Sequence, residues 1–344
     1  MSHSARKHPR QLTAQAPCRV DLAGGTVDIW PLYLFHPGAV TVNFAVSVMA
    51  RCRVSRLPGR SIHLRSLDTG REESFASLAA LGRARDFRHP LAARLVEFFA
   101  PQSGLLVETH SESPAGAGIS GSSALMMAGA AALAHYTGKR FTREQLRQLG
   151  QNLESRIIAV PTGCQDYYPA LFGGVSALAL RPDGIHRESI PVVPAELNAR
   201  FVLAYTGAPR QSGINNWEVF KAHLNGDRRV FRNFAEIVHI AQAMRQSLLR
   251  RDWHETARLL REEWKLRKTN APGISTPFIE ELIATAGRHG SVAAKVCGAG
   301  GGGCVVFLVE PGTGERVAKA IAARGGKVLA CALETRGLTI RSGV

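Results

Sequence analysis

Long apolar runs are missing from this sequence. The longest, Ala124–Ala134, is roughly half of the ~20 residues that a membrane-crossing helix needs, so no spanning segment is expected. Paired cysteines are missing as well. The six present (Cys18, Cys52, Cys164, Cys297, Cys304, Cys331) include no Cys-x-x-Cys, fit no zinc spacing and frame no disulfide scaffold. They read as small residues in a reduced cytosol; only Cys297 and Cys304, on either side of a glycine run, are placed to bind a metal or bridge. Lysine is scarce, 8 against 35 arginines, and the arginines run along the whole chain rather than in a patch. The net charge of +16 would attract polyanions. With no basic run interleaved with aromatics and no zinc-finger or RRM-like pattern, however, nucleic acid is not the expected partner. Residues Met1–Gln15 are basic and polar without an apolar stretch behind them, so they read as a flexible tail rather than a secretory signal. A cytoplasmic location is expected.

What remains is ordinary for a globular protein: 344 residues, 45% hydrophobic and 20% charged, enough for one or two domains. Strands are expected at Arg19–Leu22, Val40–Val48, Cys52–Leu57, Ile62–Leu67 and Leu105–Thr109. A helix follows over Ser122–Tyr136, and Thr142 with Gln145 reads as the capping box of the next. Prolines and a glycine suggest a boundary near Pro182–Pro194. Beyond it come a strand at Phe201–Tyr205 and helices at Asn216–Leu224, Arg229–Arg250, Trp253–Lys268 and Pro277–His289. The chain closes with strands at Val292–Val296 and Val305–Val309, a helix at Glu315–Arg324 and a strand at Val328–Leu333. Strands and helices without strict alternation imply α+β.

Four segments carry chemistry. In Ser113-Pro-Ala-Gly-Ala-Gly-Ile-Ser-Gly-Ser-Ser-Ala124 a glycine loop opens a helix, whose free N–H groups and dipole suit an anion. Gly116-x-Gly118-x-x-Gly121 matches the dinucleotide string, but no acidic residue ends a second strand about twenty residues on. No Lys-Ser/Thr follows the last glycine, which excludes Walker A, and the hydrolase elbow pattern is broken. Close helix–sheet packing is the competing structural reading. A second cluster, Gly298–Gly303 before Cys304, demands unusual torsions or a close approach, or is a flexible hairpin. Arg19-Val-Asp21-Leu-Ala-Gly24-Gly25-Thr-Val-Asp28 puts a basic residue on a strand that ends in a glycine turn and a carboxylate; Arg19 with Asp21 also reads as a plain surface pair. Gln165-Asp166-Tyr-Tyr, between Pro161 and Gly173-Gly174, sets an Asp in an aromatic-rich loop, where a turn or cap role competes with a pocket role.

In this order the four segments resemble the motifs of the GHMP kinase superfamily, from Ala16 to about Val309. Leu22-Ala-Gly-Gly-Thr-Val-Asp28, Gln165–Gly174, and Glu263–Lys268 with Gly273–Ile279 are similar to the sugar-kinase branch typified by D-glycero-D-manno-heptose 7-phosphate kinase. The resemblance implies a two-domain fold: an N-terminal ribosomal protein S5 domain 2-like domain over 16–190 after a tail over 1–15, and a ferredoxin-like one over 191–344. ATP and Mg²⁺ would act at the cleft between them. It further implies Asp166 and Arg19 as catalytic residues, and Pro114, Gly116, Gly118, Ser120, Gly121, Ser122 and Ser123 at ATP. Ser123 and Glu154 would hold the metal, and Asp28, Gly25, Gln165, Gly300, Gly301 and Gly302 the substrate. The implied acceptor is a sugar or sugar phosphate, heptose 7-phosphate first, and a homodimer is conceivable. The alternatives are a mevalonate-type kinase on a small acid alcohol and a silent ligand or nucleic-acid binder on the same fold.

Overall fold

The structure is a computed structural model and describes residues 11–208 and 214–343. The strands in chain order are β1 (Gln11–Ala23), β2 (Val40–Arg56), β3 (Ile62–Ser66), β4 (Glu72–Phe75), β5 (Leu105–Ser111), β6 (Val175–Arg181), β7 (Gly184–Ile190), β8 (Phe201–Tyr205), β9 (Ser291–Val296), β10 (Cys304–Val309), β11 (Lys327–Leu329) and β12 (Thr339–Gly343). The helices are α1 (Leu78–Arg83), α2 (Pro90–Phe99), α3 (Gly121–Tyr136), α4 (Arg143–Ile158), α5 (Tyr167–Phe172), α6 (Pro194–Asn198), α7 (Ile214–Leu224), α8 (Arg228–Leu249), α9 (Trp253–Arg267), α10 (Pro277–Arg288) and α11 (Gly314–Ala323).

Two sheets organise these elements. The first runs β12-β1-β2-β5-β3-β4, with β6 and β7 branching from β2; the second runs β11-β8-β10-β9. β2 joins the two expected strands into one of 17 residues. Its first half, Val40–Val46, is buried on both faces, whereas its second half alternates, as expected where one face meets solvent. α3 lies on β1 and β2. Twelve of its 16 residues are buried, which its alanines and Gly129 permit: a Cβ on Gly129 would stand 2.6 Å from Leu95 Cδ1. α8 packs against β1, β2 and α9, and α9 against β9, so this helix pair joins the two sheets.

Several expectations are corrected. Residues 11–15, assigned to a tail, open β1 and pair with both β2 and β12; Leu12 and Ala14 are fully buried. The first ten residues of that tail lie outside the described residues. The stretch taken for a boundary holds the Pro182-Asp183 turn and the second strand of the β6–β7 hairpin, with the change of sheet just after it. The last strand returns to the first sheet, so the C-terminal portion does not stay with the second.

Candidate active site

Arg19 on β1 is 2% exposed and organises the cavity. Its Nε and Nη2 donate to Asp166 Oδ1 at 2.9 and 2.6 Å, and its Nη1 donates to the Gly118 carbonyl at 2.8 Å. Its backbone N–H donates to Ile119 O at 2.9 Å, so one residue fixes both the glycine loop and the aspartate. Burial opposes its charge, and Asp166 and then Asp21 more than offset that, leaving its pKa above the ordinary value. Asp166 sits at the start of α5, partly open to the cavity.

The loop Ser113–Gly121 turns at Gly116 (φ +68°) and Gly118 (φ +75°), and Ser120 takes φ +64° to start α3. Gly121 must lack a side chain, since a Cβ there would stand 2.9 Å from Ser113 Cβ and Oγ. No side chain caps α3, so its first N–H groups and its dipole remain available to an anion. Ser120 Oγ is buried without a hydrogen-bond partner among the described residues. Across from it on α4, Glu154 accepts from Ser122 Oγ (2.7 Å), Ser123 Oγ (2.9 Å) and Tyr167 Oη (2.5 Å). Burial pushes its carboxyl above the usual range against the pull of these hydroxyls.

Another part of the cavity wall is formed by the turn after β1. Asp28 is buried and accepts from the Gln165 N–H at 2.8 Å. Burial, then Asp166 and Asp21, raise its pKa to about 7 against that hydrogen bond. A Cβ on Gly163 would fall 2.1 Å from Asp28 Oδ2, so only glycine permits this approach. Behind the turn lies a buried charge quartet. Lys295 Nζ reaches Asp21 Oδ2 (3.0 Å) and Glu263 Oε2 (3.2 Å). Arg267 Nε donates to Glu263 Oε1 (2.8 Å), and its Nη2 to the Gly25 carbonyl (3.0 Å). Arg267 Nη1 donates to Thr26 Oγ1 (3.2 Å), which in turn donates to Asn216 Oδ1 (3.1 Å) on α7.

These groups enclose one cavity of about 480 Å³. It brings together Arg19, Gly25, Asp28, Pro114, Gly116, Gly118, Ser120, Gly121, Ser122, Glu154, Gln165 and Asp166 from the sequence-based expectation. Ser123 stands one layer behind, on Glu154. Gly300, Gly301 and Gly302 do not line the cavity; Gly298 and Ala299 do. The glycine run instead packs backbone to backbone. A Cβ on Gly300 would stand 2.6 Å from Ile274 O and one on Gly303 2.7 Å from Ala117 O, while the Cys304 N–H donates to Ala117 O at 2.6 Å. The second glycine cluster thus buttresses the first. Arg19 and Asp21 are no surface pair, as both are buried. Asp21, Thr26, Asn216 and Arg267 also line the cavity and were not foreseen there; a lysine within the apolar strand β9 and the i,i+4 pair Glu263–Arg267 were the available signals. No group of three or more His, Cys, Asp or Glu among the described residues is arranged to hold a metal, which removes the Cys297–Cys304 metal reading. None of the six cysteines, all of them among the described residues, forms a disulfide. No helix among the described residues is long and apolar enough to cross a membrane.

Residues 88–174 match the GHMP kinases N terminal domain, and residues 244–327 match the GHMP kinases C terminal domain. The chain belongs to the GHMP kinases. The phosphate donor of this GHMP kinase is therefore ATP. It is 26% identical over 330 residues to D-glycero-alpha-D-manno-heptose 7-phosphate kinase of Campylobacter jejuni, covering 93% of this chain and 95% of that one. A mevalonate kinase of Thermococcus sibiricus is 28% identical over 253 residues, 70% of each chain. The crystal structure of a D-glycero-D-manno-heptose 1-phosphate kinase from Bacteroides thetaiotaomicron superposes with a TM-score of 0.76 at 21% identity, over 97% of this chain and 99% of that one. The two-domain fold of this GHMP kinase is thereby the family's own.

Proposed function

We propose that this kinase transfers the γ-phosphoryl group of ATP to a hydroxyl of a sugar or sugar phosphate, with D-glycero-α-D-manno-heptose 7-phosphate the first acceptor to test. The observation that carries the reading is the Asp166 carboxylate, gripped by Arg19 at the acceptor end of a cavity whose other end is the uncapped N-terminus of α3. The nearly end-to-end likeness to a heptose 7-phosphate kinase supports the acceptor class.

Phosphoryl transfer needs positioning and neutralised charge more than covalent help. Asp166 accepts the hydrogen bond of the attacking hydroxyl, orients it, and takes its proton as the new P–O bond forms. Arg19 holds that carboxylate in place. Pro114, Gly116, Gly118, Ser120, Gly121, Ser122 and Ser123 shape the loop and helix start that receive the phosphates. Gly25, Asp28 and Gln165 surround the acceptor. For Mg²⁺, the donors fit: a carboxylate and two hydroxyls, all hard oxygens, meet at Glu154, Ser122 and Ser123. When bound there the ion would neutralise phosphate charge.

The test is ADP release with Mg²⁺-ATP over heptose 7-phosphate, other sugars and sugar phosphates, and mevalonate. Turnover of at least one sugar in preference to mevalonate is expected. Release with mevalonate alone, or with none of these acceptors, would contradict the reading.

A further inference from the structure

Thr26, in the turn after β1, takes a backbone conformation that threonine avoids. Its φ is +70°, in the left-handed region, where a β-branched residue is an outlier. Such a conformation persists only where the surroundings over-determine it. Here they do. The Thr26 carbonyl accepts from the Ile29 N–H at 3.2 Å, which closes the turn that carries Asp28. The preceding carbonyl, of Gly25, accepts from Arg267 Nη2 at 3.0 Å. The Thr26 hydroxyl accepts from Arg267 Nη1 at 3.2 Å and gives its one hydrogen to Asn216 Oδ1 at 3.1 Å. Arginine can only donate, so this chain of hydrogen bonds runs one way, from Arg267 through Thr26 to Asn216. All three residues line the cavity, and the fully buried Glu263 fixes Arg267 from behind. The helix that carries Asn216, α7, is held a second time by the connection from β1 to β2. His223 Nε2 lies 2.8 Å from His36 Nε2, with both rings buried. Asn216 and His223 are two helical turns apart and so share one face, with Val219 and Phe220 buried between them. The histidine pair and these apolar contacts keep α7 docked without Thr26; what the Thr26 hydroxyl adds is the placement of Asn216 at the cavity.

We propose that Thr26 is a positioning residue for acceptor binding: its hydroxyl holds Asn216 and the first half of α7 in place as a wall of the cavity, and the strained backbone is kept for the sake of that hydroxyl. The proposal rests on the kinase reading of the same cavity and adds to it a residue that takes no part in phosphoryl transfer. Strain and hydroxyl can be separated by substitution. Glycine adopts φ +70° freely but brings no hydroxyl, valine keeps the shape and the strain without the hydroxyl, and serine keeps the hydroxyl.

The full chain and its Thr26→Ser, Thr26→Val and Thr26→Gly variants are compared by amide hydrogen exchange in α7, by melting temperature, and by kinetics on whichever acceptor the native protein phosphorylates. Thr26→Ser should match the native protein within about twofold. In Thr26→Val and Thr26→Gly the amides of Asn216–Phe220 should exchange about fivefold faster or more, the scale of one lost hydrogen bond. The same two variants should raise the acceptor KM by about fivefold or more, with kcat and the KM for ATP within about threefold of native. Thr26→Gly, relieved of strain, should melt above Thr26→Val while remaining as impaired in exchange and acceptor KM. A merely structural role would make both effects follow stability. Unchanged α7 exchange in the valine and glycine variants overturns the proposal, as does an unchanged acceptor KM, or a glycine variant that regains native exchange and KM. Should Thr26→Val fail to fold, the serine and glycine variants still decide. If the native protein turns over no acceptor, the kinase reading fails on its own account, and hydrogen exchange in the variants still decides whether Thr26 positions α7.

Discussion

Five carboxylates line one cavity, and the surroundings of Asp21, Asp28, Glu154 and Asp166 separate these four. Asp21 is held charged by cations, Asp166 is gripped by Arg19, Glu154 collects three hydroxyls, and Asp28 is pushed up to about 7. The last value has a consequence for stability. Unfolded, an aspartate titrates near ~3.9, so between about 4 and 7 the folded protein binds a proton that the unfolded chain does not. Asp28 therefore makes the protein less stable as pH rises through that window. Asp28→Asn should gain stability relative to the native protein from pH 5 to pH 8, read as a melting-temperature difference that grows with pH; a constant difference would contradict the raised pKa. Asp166, Arg19 and Glu154 were legible in the sequence because each stands in or beside a glycine- or proline-marked motif. Lys295 and Arg267 were not, since their partners Asp21 and the Gly25 carbonyl lie 274 and 242 residues away.

Among the elements, α3 and α4 act as a pair. α3 brings its uncapped start to the cavity, and α4 presents Glu154 to the two serines of that first turn. Glu154→Ala would leave buried Ser123 Oγ and Tyr167 Oη without their acceptor, at about 1–3 kcal/mol each. The expected outcome is a loss of that order in chemical denaturation together with weaker Mg²⁺-ATP binding. Unchanged nucleotide affinity would remove Glu154 from the phosphate end. The capping box of α4 was plain in the sequence and is formed, with Thr142 and Gln145 each bonding the other's backbone. The six-residue α5, which carries Asp166 at its start, offered too little periodicity to be read. The first residues of β1 were missed because alternating alanines give only a weak hydrophobic signal.

At the scale of the whole molecule, the quartet Asp21, Glu263, Arg267 and Lys295 ties β1 of the first sheet to α9 and to β9 of the second. All four groups are buried, so removing one strands the charges of its partners. Lys295→Met should cost about 3–5 kcal/mol in denaturant unfolding; a change below about 1 kcal/mol would mean that the quartet does not join the two halves. The return of β12 to β1 was illegible for the opposite reason to the helices, because its pairing partner is at the far end of the chain and no local pattern announces it. The most direct measurement compares native protein with Asp166→Ala in steady-state ADP release on the sugar acceptor and in equilibrium binding of ATP. Turnover should fall by about 10²-fold or more while ATP affinity stays within about threefold. Turnover that survives the substitution would contradict the placement of the transferred phosphoryl group between Asp166 and the start of α3.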